Sequence, residues 1–285
     1  MITQSFAAGT VEQNIAYLGA ERAEKLDVYL PAADFARPLP AVLLVHGGGW
    51  AVGDKASGRE RSIGETLSSH GYVVFSINYL LNTSEKDSDG KPRLTRLAWP
   101  QSIIDCKTAL RFIRAEHARF GVDPALIGVM GGSAGGHLSM LVGAAPEHAA
   151  FNTTGLYTDQ RNGVSCIIDL YGPADIRGRG VSPFANATKE MGVTPALETE
   201  ASPVTYFDAK TPPMLIVHGT ADKVIPVERS RELTRILEKI GVDYWYVEIA
   251  GAPHTFDLQP PQMDVRTVLL SFLAKHLGTP VTSAR

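Results

Sequence analysis

Cysteine is nearly absent from this chain: its 285 residues hold two, Cys106 and Cys166, far apart and each inside an apolar run. Neither belongs to the repeated spacing of a disulfide framework or a zinc site, so both read as buried free thiols, and no metal or other cofactor is expected. Long hydrophobic runs are missing as well. No segment approaches the roughly 18 uninterrupted apolar residues of a membrane-spanning helix. The N-terminal "MITQSFAAGTVEQ" lacks both the basic and the apolar stretch of a secretory signal. A soluble, cytoplasmic protein is the expectation, with secretion the alternative where a signal has been removed. Charge of one sign is lacking too, since 27 Lys and Arg face 30 Asp and Glu, mixed along the chain for a net −3. That balance argues against a phosphate-tracking or anionic-membrane surface, so neither nucleic acid nor membrane is an expected partner. Internal repeats and linkers are absent, and 1–285 reads as one domain. Oligomeric state has no signature.

What the chain does contain is an alternation of short β-branched runs with longer amphipathic ones. The strands expected are "KLDVYL" from Lys25, "AVLLVH" from Ala41, "YVVFSIN" from Tyr72, "LIGVMG" from Leu126, "CIIDLYG" from Cys166, "PMLIVHG" from Pro213 and "DYWYVEI" from Asp243. Helices are expected near 59–70, 101–118, 134–145, 227–240 and 262–277. Most strands are apolar on both faces, which calls for an α/β fold with a mostly parallel central sheet and helices on both faces. Two segments fall outside this pattern. Asn82–Arg96 is polar and charged and reads as a solvated loop. Residues 174–199 carry Gly, Pro and Arg where a covering helix would belong, and read as a small cap-like insertion over the sheet edge.

The chemistry is concentrated in "VMGGSAGGHLS", where Gly131-Gly132-Ser133-Ala134-Gly135 forms G-x-S-x-G between an expected strand and helix. So many glycines at such a junction need a reason, and a nucleophile elbow supplies one: the serine sits on a tight turn whose neighbours must be small. "HGGGW", His46–Trp50, follows the strand "AVLLVH", where a loop can turn N–H groups toward that serine. Gly48, Gly49 and Ala134 are therefore the expected oxyanion-hole donors. A serine also needs a base and an acid to orient it. Among eight histidines, His70, His117, His148 and His276 lie on helices or their ends, His137 points down the elbow helix, His218 ends a strand and His46 belongs to the glycine loop. His254, in "GAPHTF" beyond the last strand, occupies the carboxyl end of a parallel sheet and is the expected base. Asp222, in the loop after "PMLIVHG", lies between serine and histidine in chain order and is the expected acid; Asp169 and Asp175 are weaker candidates. Trp50, Tyr79, Trp99, Phe184 and Phe256 are expected to wall the substrate pocket.

The chain resembles the α/β-hydrolase esterases, and within them the bacterial feruloyl/acetyl-esterase-like group close to the hormone-sensitive-lipase family. The segments that carry the resemblance are "LDVYLP" from Leu26, "HGGGWAVGDK" from His46, "FGVDPALIGVMGGSAGGHLS" from Phe120, "DLYGPADI" from Asp169 and "TPPMLIVHGTADKVIPVERS" from Thr211. The resemblance implies an α/β-hydrolase fold and a serine carboxylesterase, without cofactor, in which Ser133, Asp222 and His254 act together on short-chain, acetyl or aryl esters. Acylated carbohydrates are among the small-molecule substrates it implies. Leu80 replaces the group's usual arginine after "NY", the loop that follows is longer and more charged, and Pro253 stands where glycine is common. The first two lie near the expected substrate entrance and bear on acyl and alcohol preference rather than on mechanism. An amide hydrolase using the same residues is the alternative activity, and a non-catalytic binding module the alternative class. That module would be expected to have lost one of the three residues, and none is missing.

Overall fold

In the computed structural model, which describes residues 9–178 and 180–283, the strands in chain order are β1 (Thr10–Ile15), β2 (Leu26–Leu30), β3 (Leu39–Val45), β4 (Val73–Ile77), β5 (Thr83–Lys86), β6 (Pro92–Arg96), β7 (Val122–Gly132), β8 (Cys166–Leu170), β9 (Met214–Gly219) and β10 (Tyr244–Ile249). The helices are α1 (Gly58–Ser68), α2 (Gln101–Ala115), α3 (His117–Phe120), α4 (Ala134–Ala144), α5 (Ala149–Asn152), α6 (Pro195–Glu200), α7 (Glu228–Ile240) and α8 (Arg266–Leu277). Eight strands form one sheet in the order β1-β2-β4-β3-β7-β8-β9-β10. The β1–β2 and β2–β4 pairs are antiparallel and the others parallel. This is the mostly parallel sheet that the apolar runs call for.

Side-chain alternation along the strands sorts the core into two layers. Ala41, Leu43 and Val45 of β3 face one side with Val129 of β7 and Ile216 of β9, where Ile103 of α2, Leu141 of α4 and Leu233 of α7 cover them. Val42 and Leu44 face the other side with Met130, Leu215 and Val217, beneath Ile63 of α1 and Phe272 of α8. Each strand residue is thus buried whichever way it points, which is why these strands read as continuous apolar runs. Three basic side chains on α2 pin the chain that follows α4. Lys107 donates to the Ala145 carbonyl at 2.5 Å, Arg111 to those of Asn152, Thr154 and Leu156, and Arg114 to those of Arg161 and Gly163.

Two elements depart from expectation. Asn82–Arg96 is not a bare loop: β5 and β6 pair as an antiparallel hairpin. Every residue of the hairpin strands except Leu94 is exposed, so no apolar alternation announces them. β1 extends the sheet edge with a strand that has no fully buried residue and was invisible for the same reason. The described residues of 174–199 hold turns, a short 3-10 turn at Lys189–Met191 and the start of α6, where Thr194 Oγ1 accepts the Leu197 N–H at 3.2 Å. Asn82 joins this segment to the hairpin: its Nδ2 donates to the Pro183 carbonyl at 2.7 Å, and its Oδ1 accepts from the Ala98 N–H at 2.8 Å. Among the described residues no helix is long and apolar enough to cross a membrane.

Candidate active site

The carboxyl ends of β3, β7, β9 and β10 deliver four loops to one cavity. Between β7 and α4, Ser133 adopts φ 55° and ψ −121°, with its N–H donating to the Leu170 carbonyl at 2.9 Å. A non-glycine residue pays about 1–3 kcal/mol for such a conformation, so the surroundings must impose it. The flanking glycines show how. A Cβ on Gly135 would overlap the Val45 carbonyl oxygen, and one on Gly131 would overlap the Gly135 carbonyl. Helix α4 therefore rests backbone to backbone on β3 and β7, and the turn between has no room to relax.

His254, in the loop after β10, brings Nε2 to 2.9 Å from Ser133 Oγ, and its Nδ1 lies 2.6 Å from Asp222 Oδ2. Asp222, beyond β9, is buried; its Oδ1 accepts the N–H groups of Val224 and Ile225, each at 2.8 Å. A carboxylate held by such donors is an acceptor toward the imidazole, so Nδ1 carries the His254 proton and Nε2 is left to accept from the serine hydroxyl. Asp222 Oδ2 is also 3.2 Å from Nε2 of His218, whose ring is buried between the Ile225 carbonyl and Ser230 Oγ. Burial pushes the His218 pKa down. The weaker acid candidates lie elsewhere. Asp169 is fully buried, accepts the Gly172 N–H and is pushed up to about 8 by burial, while Asp175 pairs with Arg177 at 2.8 Å.

The glycine loop after β3 faces the same cavity. Gly48 and Gly49 take φ values of 115° and 59°, and the Gly48 carbonyl is occupied by the N–H groups of Ala51 and Val52. Among the described residues no backbone carbonyl accepts from the N–H of Gly48, Gly49 or Ala134. Ala134 opens α4, where the helix dipole adds to its N–H. The loop is held from several directions. Lys55 Nζ meets Asp27 Oδ1 at 2.8 Å in the interior, Tyr79 Oη donates to the His46 carbonyl at 3.0 Å, and the Asn82 N–H donates to the Trp50 carbonyl at 2.8 Å. His46 is buried with Nδ1 against the Gly47 carbonyl at 2.6 Å, and desolvation lowers its pKa.

The cavity measures about 470 Å³ and is lined by Gly48, Gly49, Trp50, Ser133 and His254 together with residues that the sequence did not single out: Arg59, Glu60, Tyr171, Val181, Val224 and Thr255. Of the five expected wall aromatics only Trp50 lines it. Tyr79 is stacked on His46 at 4.5 Å, Trp99 and Phe184 pack edge to face on one another at 6.1 Å, and Phe256 packs on Tyr171 at 4.6 Å. Each of the four is buried against another ring and does not reach the cavity lining. Cys106 and Cys166 are buried free thiols, and among the described residues no group of three His, Cys, Asp or Glu could hold a metal ion.

His137, one turn into α4, is fully buried, with its Nε2–H on the Ala201 carbonyl at 2.7 Å and its Nδ1 accepting from the Trp50 indole at 3.3 Å. Desolvation pushes its pKa from 6.5 down to about 4. A histidine depressed only in the folded state destabilises it where the unfolded chain binds the extra proton. Stability is therefore untouched above the unfolded value and falls as pH drops from 6.5 toward about 4, by a total on the order of 3 kcal/mol. We expect His137→Gln, which preserves a donor and an acceptor without the titration, to flatten this acid limb in thermal unfolding measured against pH. An unchanged limb would remove His137 as its source.

The BD-FAE family model matches residues 26–237 of the chain. Esterase LipC of Mycobacterium tuberculosis is 31% identical over 253 residues, covering 84% of this chain and 59% of its own length. The chain spans about three fifths of the length of LipC and of its relative LipM, a probable carboxylic ester hydrolase of the same organism. A truncated form of a carbohydrate esterase from gut microbiota superposes with a TM-score of 0.79 at 24% identity, over 94% of this chain and 96% of its own. Esterase 2 of Thermogutta terrifontis, in a structure where it is phosphonylated by cyclosarin, does so with a TM-score of 0.74 at 25% identity, over 96% of this chain and 97% of its own. With the sheet order, the serine turn and these likenesses together, the chain has the α/β-hydrolase fold and belongs to the BD-FAE family.

Proposed function

We propose that the protein is a serine carboxylesterase that hydrolyses its substrate through an acyl-enzyme on Ser133. The observation that carries this reading is the unbroken chain Asp222 Oδ2–His254 Nδ1 at 2.6 Å and His254 Nε2–Ser133 Oγ at 2.9 Å, opening on a cavity that also holds Gly48 and Gly49. In this reading His254 takes the Ser133 proton as Oγ attacks the ester carbonyl. The negative charge that develops on the carbonyl oxygen is met by the N–H groups of Gly48, Gly49 and Ala134, which have no backbone acceptor among the described residues. Asp222 holds the imidazole in the required tautomer and stabilises its charged form. His254 then protonates the departing alcohol, and a water activated by the same imidazole releases the acid. The esterase LipC, similar over most of this chain, supports an ester rather than an amide as substrate.

A 470 Å³ cavity suits a short acyl or aryl ester, and the likeness in fold to a carbohydrate esterase supports an acylated sugar as one class to test. We take the chain as one domain in which residues 174–199 serve as a small cap, because Val181 reaches the cavity wall. The two free, buried thiols accord with a reducing compartment such as the cytoplasm.

Ser133→Ala is expected to keep the fold and lose turnover by roughly 10⁴-fold or more. His254→Ala should abolish the acylation burst in a single-turnover experiment. Activity of the serine variant within about tenfold of the parent would remove Ser133 from the mechanism. Asp222→Asn should lower kcat by about 10³–10⁴-fold with KM little changed, because it inverts the preferred imidazole tautomer rather than loosening the ground state. A harmless Asp222→Asn beside a crippling Asp169→Asn would reassign the acid. Matched acetyl esters and acetanilides compared by kcat/KM decide between ester and amide, and faster anilide cleavage would favour the amidase.

A further inference from the structure

Four of the seven non-glycine residues with positive φ among the described residues line the one catalytic cavity: Trp50, Ser133, Tyr171 and Thr255. Backbone strain at such density marks a surface held against its own preferences. Ser133 is explained by its turn. Thr255 is not, and it is the residue directly after His254. At φ 65° a β-branched side chain is in its least comfortable region, so something must hold the next peptide.

That restraint comes from α1 and from the end of β8. Arg59 Nε donates to the Phe256 carbonyl at 2.9 Å, and Tyr171 Oη donates to the same oxygen at 3.3 Å. The Arg59 side chain is only 12% exposed, and Glu60, itself buried, neutralises it through Nη1 at 2.7 Å. The guanidinium sits against the elbow: a Cβ on Gly132 would stand 2.5 Å from Arg59 Nη2, and the guanidinium carbon is 5.7 Å from the Tyr171 ring centre. Tyr171 also sets its ring edge to face on His254 at 4.9 Å. One carbonyl, two residues beyond the imidazole, thus receives two donors that occupy the space left by the missing side chain of Gly132, one of them paired with Glu60.

We propose that Arg59, with Tyr171, is a positioning residue that clamps the Phe256 carbonyl and so keeps Thr255 in the left-handed region and His254 Nε2 aimed at Ser133. Without the clamp, Thr255 relaxes toward ordinary backbone angles and turns the imidazole off the serine hydroxyl. The inference rests on His254 being the base.

The test is a double-mutant cycle on one acetyl ester. Arg59→Met with Glu60→Gln removes the donor without leaving a buried charge. It should lower kcat about 10- to 100-fold through misplacement of the base, with KM within about threefold of the parent. Asparagine tolerates the left-handed region as threonine does not, so in a Thr255→Asn background the same pair should cost at least about fivefold less. Equal cost in both backgrounds overturns the clamp, as does a loss confined to KM, which would make Arg59 a substrate contact. Should the pair fail to fold by near-UV circular dichroism, Arg59→Lys, which keeps the charge beside Glu60 but not the planar fork, carries the same comparison under the same criteria. The low-field proton of His254 Nδ1, followed by NMR, should broaden or shift in the Arg59 variants and sharpen again with Thr255→Asn. An inactive His254→Ala beside unaffected Arg59 variants would overturn the clamp alone, whereas an active His254→Ala would overturn the esterase reading itself.

Discussion

Ser133 holds a backbone conformation, φ 55° and ψ −121°, that no serine adopts unaided, and the centre of the molecule is arranged to keep it there. The restraint is steric contact between main chains. Helix α4 lies so close to β3 and β7 that side chains are excluded at Gly131 and Gly135, and the Ser133 N–H is taken by the Leu170 carbonyl of β8. Three parallel strands therefore meet at one residue. Because the sheet is buried on both faces, moving any of them would open the core, and the stability of the two apolar layers is transmitted to the geometry of a single hydroxyl.

The remaining groups of the site are attached to this point by hydrogen bonds rather than by packing alone. The loop with Gly48 and Gly49 is tied back through Lys55 to Asp27 on β2, through Tyr79 to the His46 carbonyl, and through Trp50 to His137 on α4. The loop of His254 is tied to α1 and β8 through the Phe256 carbonyl. Asp222 is tied to its own loop by two N–H groups. In the proposed reaction, loops held in this way would supply N–H groups that need no rearrangement when charge develops, which is the condition under which electrostatic stabilisation is strongest.

How much of this was legible in the sequence depended on how local the cause was. The serine turn could be read from "GGSAGG" because steric demand acts between neighbours, and the loops of Asp222 and His254 followed from strand ends that apolar runs make conspicuous. Arg59 was illegible: its partner Phe256 lies 197 residues away, and an arginine in the first turn of an amphipathic helix looks like any solvated one. Tyr171 was visible only as part of a strand-end segment. The wall aromatics fared badly because a ring at a strand end has the same sequence context whether it faces a cavity or, as with Tyr79, Trp99, Phe184 and Phe256, another ring. The hairpin of β5 and β6 was missed because its strands bury one residue, Leu94, and pairing through backbone alone leaves no pattern of side chains.

The chain has three tryptophans, and they sit in unlike places. Trp99 is enclosed by Phe151 and Phe184, Trp245 lies on β10 with the Lys275 ammonium 5.6 Å above its ring, and Trp50 stands on the cavity wall with its indole N–H on the buried imidazole of His137. An indole whose emission depends on the polarity of that wall is an optical probe built into the cavity beside Ser133, with the other two as internal references. Occupancy of the cavity can therefore be followed in the unmodified protein by its intrinsic fluorescence.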